Sequence, residues 1–257
     1  MQRVTIGIAG WALPRADAGL FPPAAHGSNL ARYAARFAAV EINSSFYRPH
    51  RPETYARWAD SVPAGFRFAV KLPKSITHEK RLQECGAELG RFAAEAGALG
   101  GKLGWLLVQT PPSLRFDPEA ARRLFSALRE QFDGRAQDGP QLACEARHGT
   151  WFADEATALM REMGVIRVVA DPPAGEPGPF IATHGASYVR LHGSPYIYRS
   201  AYEAERLAQV AAWLRGQGGA ALVIFDNTMS GTQARQAVQL GQMLTSSSTG
   251  RRPGSHM

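Results

Sequence analysis

The stretch AVEINSSFYRPH, residues 39–50, sets a carboxylate, Glu41, at the end of an apolar β-like run and follows it with an amide, two hydroxyls, an aromatic pair and a base. The same interruption recurs along the chain. Apolar runs end on Lys71, on Gln109, on Glu145 followed by Arg147 and His148, on Asp171, on Arg190 followed by His192, and on Asp226 followed by Asn227. Neighbouring carboxylates raise one another's pKa, so Glu41, Glu145 and Asp171 are candidates for proton transfer. Lys71, Arg147 and Arg190 offer positive charge to a carboxylate, a phosphate or a developing oxyanion, and Lys71 is a base or Schiff-base amine if its pKa is depressed. His78 and His192 can be acids, bases or ligands. The catalytic set expected from these residues is Glu41, Lys71, Glu145, Asp171 and His192. The expected substrate-binding set is Trp11, Asn43, Tyr47, His78, Gln109, Arg147, His148, Trp151, Arg190, Asp226 and Asn227. Glu41, Glu145, Asp171, His192 and Asp226 also mix oxygen and imidazole donors in a way that suits a divalent metal, although no HxH or HExxH spacing is present and the nearby cations compete for the same carboxylates. A buried ion network without chemistry is the competing explanation for the whole set.

Such residues converge only if the elements carrying them end at one place. The strand-like runs are residues 4–10, 39–43, 66–73, 105–111, 141–148, 165–172, 187–193 and 221–227. Most are separated by stretches with helical spacing, at 28–38, 52–62, 82–99, 118–132, 153–164, 202–217 and 231–246. Ser28 as a cap, Pro52 with Glu53, and Asp117 with Pro118 and Glu119 mark helix starts. Regular alternation favours parallel strands joined by helical crossovers. Eight strands over residues 1–246 therefore predict a single (β/α)8 TIM-barrel domain, irregular between strands six and seven, where PPAGEPGPFIATHGA shows no helical pattern. An open doubly wound sheet fits less well, because the first strand leads into GIAGW and not a GxGxxG turn. In a barrel, strand ends and the loops after them build the active site. The segment HGSPYIYRSAY then reads as a lid, and Trp11, Phe46, Tyr47, Trp151, Tyr196 and Tyr198 as walls for a planar or sugar-like ligand.

The 257 residues, 45% of them hydrophobic, suffice for one large core. No run is long enough for a membrane span, and the first residues enter strand-like sequence without a signal-peptide pattern, so a cytoplasmic protein without membrane contact is expected. Cys85 and Cys144 lie far apart and outside any CxxC spacing, which argues against a disulfide framework and a thiolate zinc site. A net charge of +7 fits an anionic partner, but arginine is spread along the whole chain, so nucleic acid is admitted and not favoured. Only four lysines occur, Lys71, Lys74, Lys80 and Lys102, which marks them as places where a guanidinium does not replace an amine. Residues 247–257 read as a disordered tail ending in the tag-like GSHM.

Seven segments in order, GIAGW, VEINSSFYR, FRFAVKLPKSITHEKRL, GKLGWLLVQTPPS, CEARHGTW, YVRLHG and FDNT, resemble the YecE-like family, domain of unknown function 72. The resemblance runs from about residue 5 to residue 244 and implies a TIM barrel, but brings no substrate or reaction with it. The family pattern falls on Glu41, Asn43, Tyr47, Lys71, His78, Glu145, Arg147, His148, Trp151, Arg190, His192, Asn227 and Thr228. Where the family has GTSGW this chain has GIAGW, which removes two hydroxyls at Ile8 and Ala9, and the usual FNNT appears as FDNT with Asp226. The functional expectation is an enzyme, a hydrolase, lyase or isomerase, that applies acid/base chemistry to a small anionic or polyhydroxylated molecule. A metal-dependent phosphodiesterase or nuclease and a non-catalytic ligand-binding barrel are the alternatives.

Overall fold

The computed structural model describes residues 4–23, 25, 27–132, 139–176 and 178–246. The expected tail, 247–257, lies outside the described residues. Strands β1 (Val4–Ala9), β2 (Ala39–Ile42), β3 (Arg67–Lys71), β4 (Leu103–Gln109), β5 (Gln141–Glu145), β6 (Ile166–Asp171), β7 (Ser187–Leu191) and β8 (Ala221–Phe225) are parallel and close into a barrel in chain order. Closure leaves no strand edge unpaired. The helices are α1 (Asn29–Ala34), α2 (Ser44–Tyr47), α3 (Pro52–Asp60), α4 (Gly86–Ala96), α5 (Pro118–Phe132), α6 (Asp154–Glu162), α7 (Ala204–Gly216) and α8 (Gln233–Ser246). Between β6 and β7 the described residues carry no helix, as expected from their proline and glycine content. No helix among the described residues is long and apolar enough to cross a membrane.

One boundary differs from the sequence reading for a clear reason. The helix expected from residue 82 starts at Gly86, because Arg81, Leu82 and Glu84 have φ of 53°, 70° and 46°. Left-handed backbone cannot continue a right-handed helix. A π-helical turn, Ser75–Glu79, precedes this kink and carries His78.

Strand periodicity positions the mouth. Side chains two apart share a face. Ala39, Ala69, Leu107, Ala143, Ile166, Val168, Tyr188, Leu222 and Ile224 pack together inside the barrel. Two residues beyond these, on the same inward parity, come Glu41, Lys71, Gln109, Glu145, Arg190 and Asp226, with His192 next after Arg190. The opposite parity faces the helices, where a second, larger core joins both layers. Gly7 lets β1 approach β2, since a Cβ there would lie 2.4 Å from the Ala39 carbonyl oxygen.

Tyr33 of α1 ties the first two strands together. Its buried hydroxyl accepts from the Ile8 N–H at 2.9 Å and donates to the Ala39 carbonyl at 2.8 Å. Tyr33→Phe leaves a buried N–H and a buried carbonyl without that partner, and should lower unfolding free energy by about 1–3 kcal/mol in urea denaturation. An unchanged midpoint would show that the hydroxyl does not hold β1 to β2.

Candidate active site at the barrel mouth

Arg190, fully buried at the end of β7, occupies the middle of the mouth. Its Nε and Nη2 donate to the two oxygens of Glu41 at 3.0 and 2.6 Å, Nη2 also reaches Asp226 Oδ2 at 2.7 Å, and Nη1 donates to Glu145 Oε2. Tyr188, two residues earlier on the same inward face, donates its hydroxyl to Glu41 Oε2 at 2.6 Å. Glu145 Oε1 accepts from Arg147 Nε at 3.0 Å and lies 3.1 Å from His192 Nε2. His192 Nδ1 lies 3.1 Å from Asp226 Oδ2, and Asn43 Nδ2 donates to Asp226 Oδ1 at 3.3 Å.

These contacts set the protonation states. Burial pushes Glu145 up, but Arg190, then His192 and Arg147, hold it well below the usual carboxylate range. Asp226 is likewise lowered, against its burial, by Arg190 and His192. Burial works against charge on His192 as well, yet hydrogen bonds to Asp226 and Glu145 raise its pKa. Both ring nitrogens face carboxylates, so the imidazolium fits the site. Arg190, Arg147 and protonated His192 then balance Glu41, Glu145 and Asp226, three charges against three.

Lys71 stands outside that balance. Its amine is 4.1 Å from the centroid of the Phe46 ring and has no hydrogen bond or ion pair among the described residues. Burial first, then the charge of Arg190, lowers its pKa to about 8, and Glu41, Glu145 and Asp226 only partly oppose this. Phe46 also contacts His78 edge-on at 4.9 Å and Tyr47 at 5.0 Å. Burial, Lys71 and Arg147 lower the pKa of His78, whose Nδ1 lies 2.8 Å from Thr77 Oγ1. Gln109 is buried and its Nε2 has no hydrogen-bond partner among the described residues. Arg147 reaches the Tyr198 hydroxyl at 3.2 Å, and the Tyr198 ring sits 5.5 Å from His192. The HGSPYIYRSAY segment therefore crosses the mouth. Its bend needs Gly193 (φ 98°), where a Cβ would lie 2.6 Å from the Ser200 carbonyl oxygen.

Several expected residues lie elsewhere. Asp171 has the opposite parity to Ile166 and Val168, turns outward, and is clamped by Arg206 of α7 at 3.1 and 2.9 Å, so it is not a mouth carboxylate. Trp151 is wholly buried, donates to the Leu114 carbonyl and packs on Phe116; the depression it borders, with Lys80, Arg81 and Ser113, includes none of the mouth residues. Asn227 is also buried and holds Ser200 and Gln236. His148 accepts from the Thr150 N–H and organises its own loop. Trp11 packs edge-on against Trp58 and lines a cavity of about 320 Å³ beside Asn43. Tyr47 is 73% exposed on the rim. Glu41 and Glu145 come together through Arg190, and every oxygen of the pair already accepts from at least one donor. Tyr188 escaped the sequence reading, although its spacing of two from Arg190 carried the signal.

The carboxylates do not fit a metal. Their oxygens are turned to Arg190, Asp171 is remote, and no group of three or more His, Cys, Asp or Glu among the described residues is arranged to hold an ion.

A closed parallel barrel with helices between its strands and a polar cluster at their C-terminal ends defines a (β/α)8 protein. The chain belongs to the family described as "Protein of unknown function DUF72", whose model matches residues 5–256. It is 30% identical to the UPF0759 protein YecE of Escherichia coli (strain K12) over 149 residues, 56% of this chain and about half (52%) of YecE's length. It is 25% identical to the UPF0759 protein YunF of Bacillus subtilis (strain 168), covering 94% of each chain. The crystal structure of a DUF72 family protein from Enterococcus faecalis V583 superposes with a TM-score of 0.76 at 20% identity, covering 94% of this chain and 95% of that one, and so shares its fold.

Two outcomes test the network. Arg190→Met strands three carboxylates inside the barrel and should destabilise the protein by about 3–5 kcal/mol in urea; a loss below 1 kcal/mol would mean the ions are solvated. Because the folded pKa of His192 is raised, its contribution is complete below about pH 6.5 and is lost as pH rises through the folded value. Wild-type stability should therefore fall toward alkaline pH more than that of His192→Gln, and parallel pH profiles would contradict the charged imidazole.

Proposed function

We propose that the protein is an enzyme acting on a small anionic substrate at the C-terminal mouth, with Lys71 as the general base. The supporting observation is the unpaired Lys71 amine: the carboxylates around it are satisfied by Arg190, Arg147 and His192, and burial brings its pKa to about 8. A base works best with a pKa near the operating pH. Arg147, partly exposed beside Tyr198, supplies charge for a carboxylate or phosphate, and Gln109 Nε2 supplies a neutral donor. The Glu41–Arg190–Asp226 cluster holds this geometry and carries no proton transfer itself. Cytosolic residence belongs to the same proposal and agrees with two buried free thiols, Cys85 and Cys144.

The donor set gives the metal-dependent phosphodiesterase reading no support. A non-catalytic ligand-binding role is separated by experiment. In a screen of small carboxylates and phosphate esters, kcat/KM should rise with pH through about 8, following the free Lys71 amine. Lys71→Met should lower kcat about 10²–10⁴-fold with KM little changed, whereas Arg147→Gln should raise KM. Turnover by Lys71→Met at the wild-type rate would overturn the role of Lys71, and binding of such anions without turnover by the wild type would favour the non-catalytic reading.

A further inference from the structure

The residues after Glu41 contain a second constellation that the Lys71 site does not use. Ser44 opens α2, and its Oγ lies 2.7 Å from His50 Nε2. Helix capping does not explain the contact: Asn43 is the N-cap, and no side chain there makes a capping hydrogen bond. His50 is clamped edge-on by Trp58 at 5.2 Å and Tyr55 at 5.8 Å, which fixes the ring plane toward Ser44. Burial, then the charge of Arg48 in the same loop, lowers the His50 pKa, while Glu95 of α4 accepts a hydrogen bond from the His50 backbone. Both effects favour a neutral imidazole, and in its Nδ1–H tautomer Nε2 accepts the Ser44 proton.

The half-buried serine borders an open depression beside the barrel mouth. Ser44 lines the space of about 320 Å³ beside Trp11, whose walls are mainly apolar: Ala9, Gly10, Trp11, Ala12 and Ile42, with Asn29, Asn43 and Ser44 as polar edges. Asn43 bonds Asp226 through Nδ2 and keeps a buried Oδ1 with no partner. Absence of a hydroxyl at Ala9 makes this wall apolar in the present chain.

We infer that Ser44 is a nucleophile activated by His50, and that this cavity accepts the acyl group of a small, uncharged ester. Ser44 Oγ bonds to the acyl carbonyl carbon while His50 Nε2 takes the hydroxyl proton. The C–O bond to the alcohol then breaks, and the alcohol leaves with the proton from His50. Water attacks the acyl-serine, again passing its proton to His50, and releases the acid and free Ser44. The reaction is a hydrolysis with no redox change, and it is independent of Lys71.

The test uses the intact protein with p-nitrophenyl acetate, following p-nitrophenolate release and mapping the acetyl group by peptide mass spectrometry. A stoichiometric burst with acetyl on Ser44 is expected, absent in Ser44→Ala. His50→Gln, which keeps a hydrogen-bonding side chain of similar size, should slow Ser44 acetylation about 10²–10⁴-fold while its urea midpoint stays near wild type. Acetyl found only on lysines, or Ser44 labelled equally fast in a folded His50→Gln, would overturn the inference. Because Lys71 takes no part, either result leaves the mouth chemistry to be judged on its own test.

Discussion

Arg190 is bonded to three carboxylates inside the barrel, and the chemistry open to the mouth follows from that arrangement. Strands β2, β5 and β8 each turn an acid inward, and three buried acids repel one another unless a cation joins them. A planar guanidinium carries five donors in fixed directions and can meet all three, which a lysine ammonium with a single point of charge cannot. Tyr188, Asn43, His192 and Arg147 complete the set by taking the remaining acceptor positions. Desolvation makes such a network a weak source of net stability, but removing one member is severe because the others stay charged and buried. Its value here is positional: the inward side chains cannot relax independently.

The same arrangement defines what is reactive. A carboxylate bonded on both oxygens is held in place, and in the proposed reading the acids that look catalytic in sequence serve as the scaffold. Lys71 shares their inward face but finds their charge already satisfied, and a desolvated amine beside a guanidinium gives up its proton more readily than a free one. Among the described residues its close contact is with Phe46, over the face of whose ring it lies. The strap from Gly193 to Tyr202 meets Arg147 and His192 through Tyr198.

Much of this was legible in the sequence. Alternation of apolar runs and helical spacing gave the barrel, and polar residues at the run ends gave the mouth, because strand period and barrel topology together force those ends to converge. Parity was the information left unused. Ile166 and Val168 face inward, so Asp171 could have been assigned to the outer layer with Arg206, and Tyr188 to the inner one with Arg190. Trp151 looked like a wall of the mouth because it follows a strand, yet the three-residue distance back to His148 lets the chain fold it against Phe116, beside a depression that holds none of the mouth residues. Which carboxylates Arg190 would occupy was not readable, since a pairing among Glu41, Glu145 and Asp226 depends on distances between strands far apart in the chain. Nor was the Ser44–His50 contact, which rests on the turn after α2.

The direct measurement is the titration of Lys71 in the intact protein, with the ε-amines of the four lysines marked by reductive ¹³C-methylation and assigned by comparison with Lys71→Met. If Arg190 claims the carboxylates and leaves the amine buried and unpaired, the Lys71 signal titrates near 8. A midpoint near the ordinary lysine value of about 10.4 would show that the mouth carboxylates compensate its charge after all, and Lys71 would then be a member of the ion network and not its reactive exception.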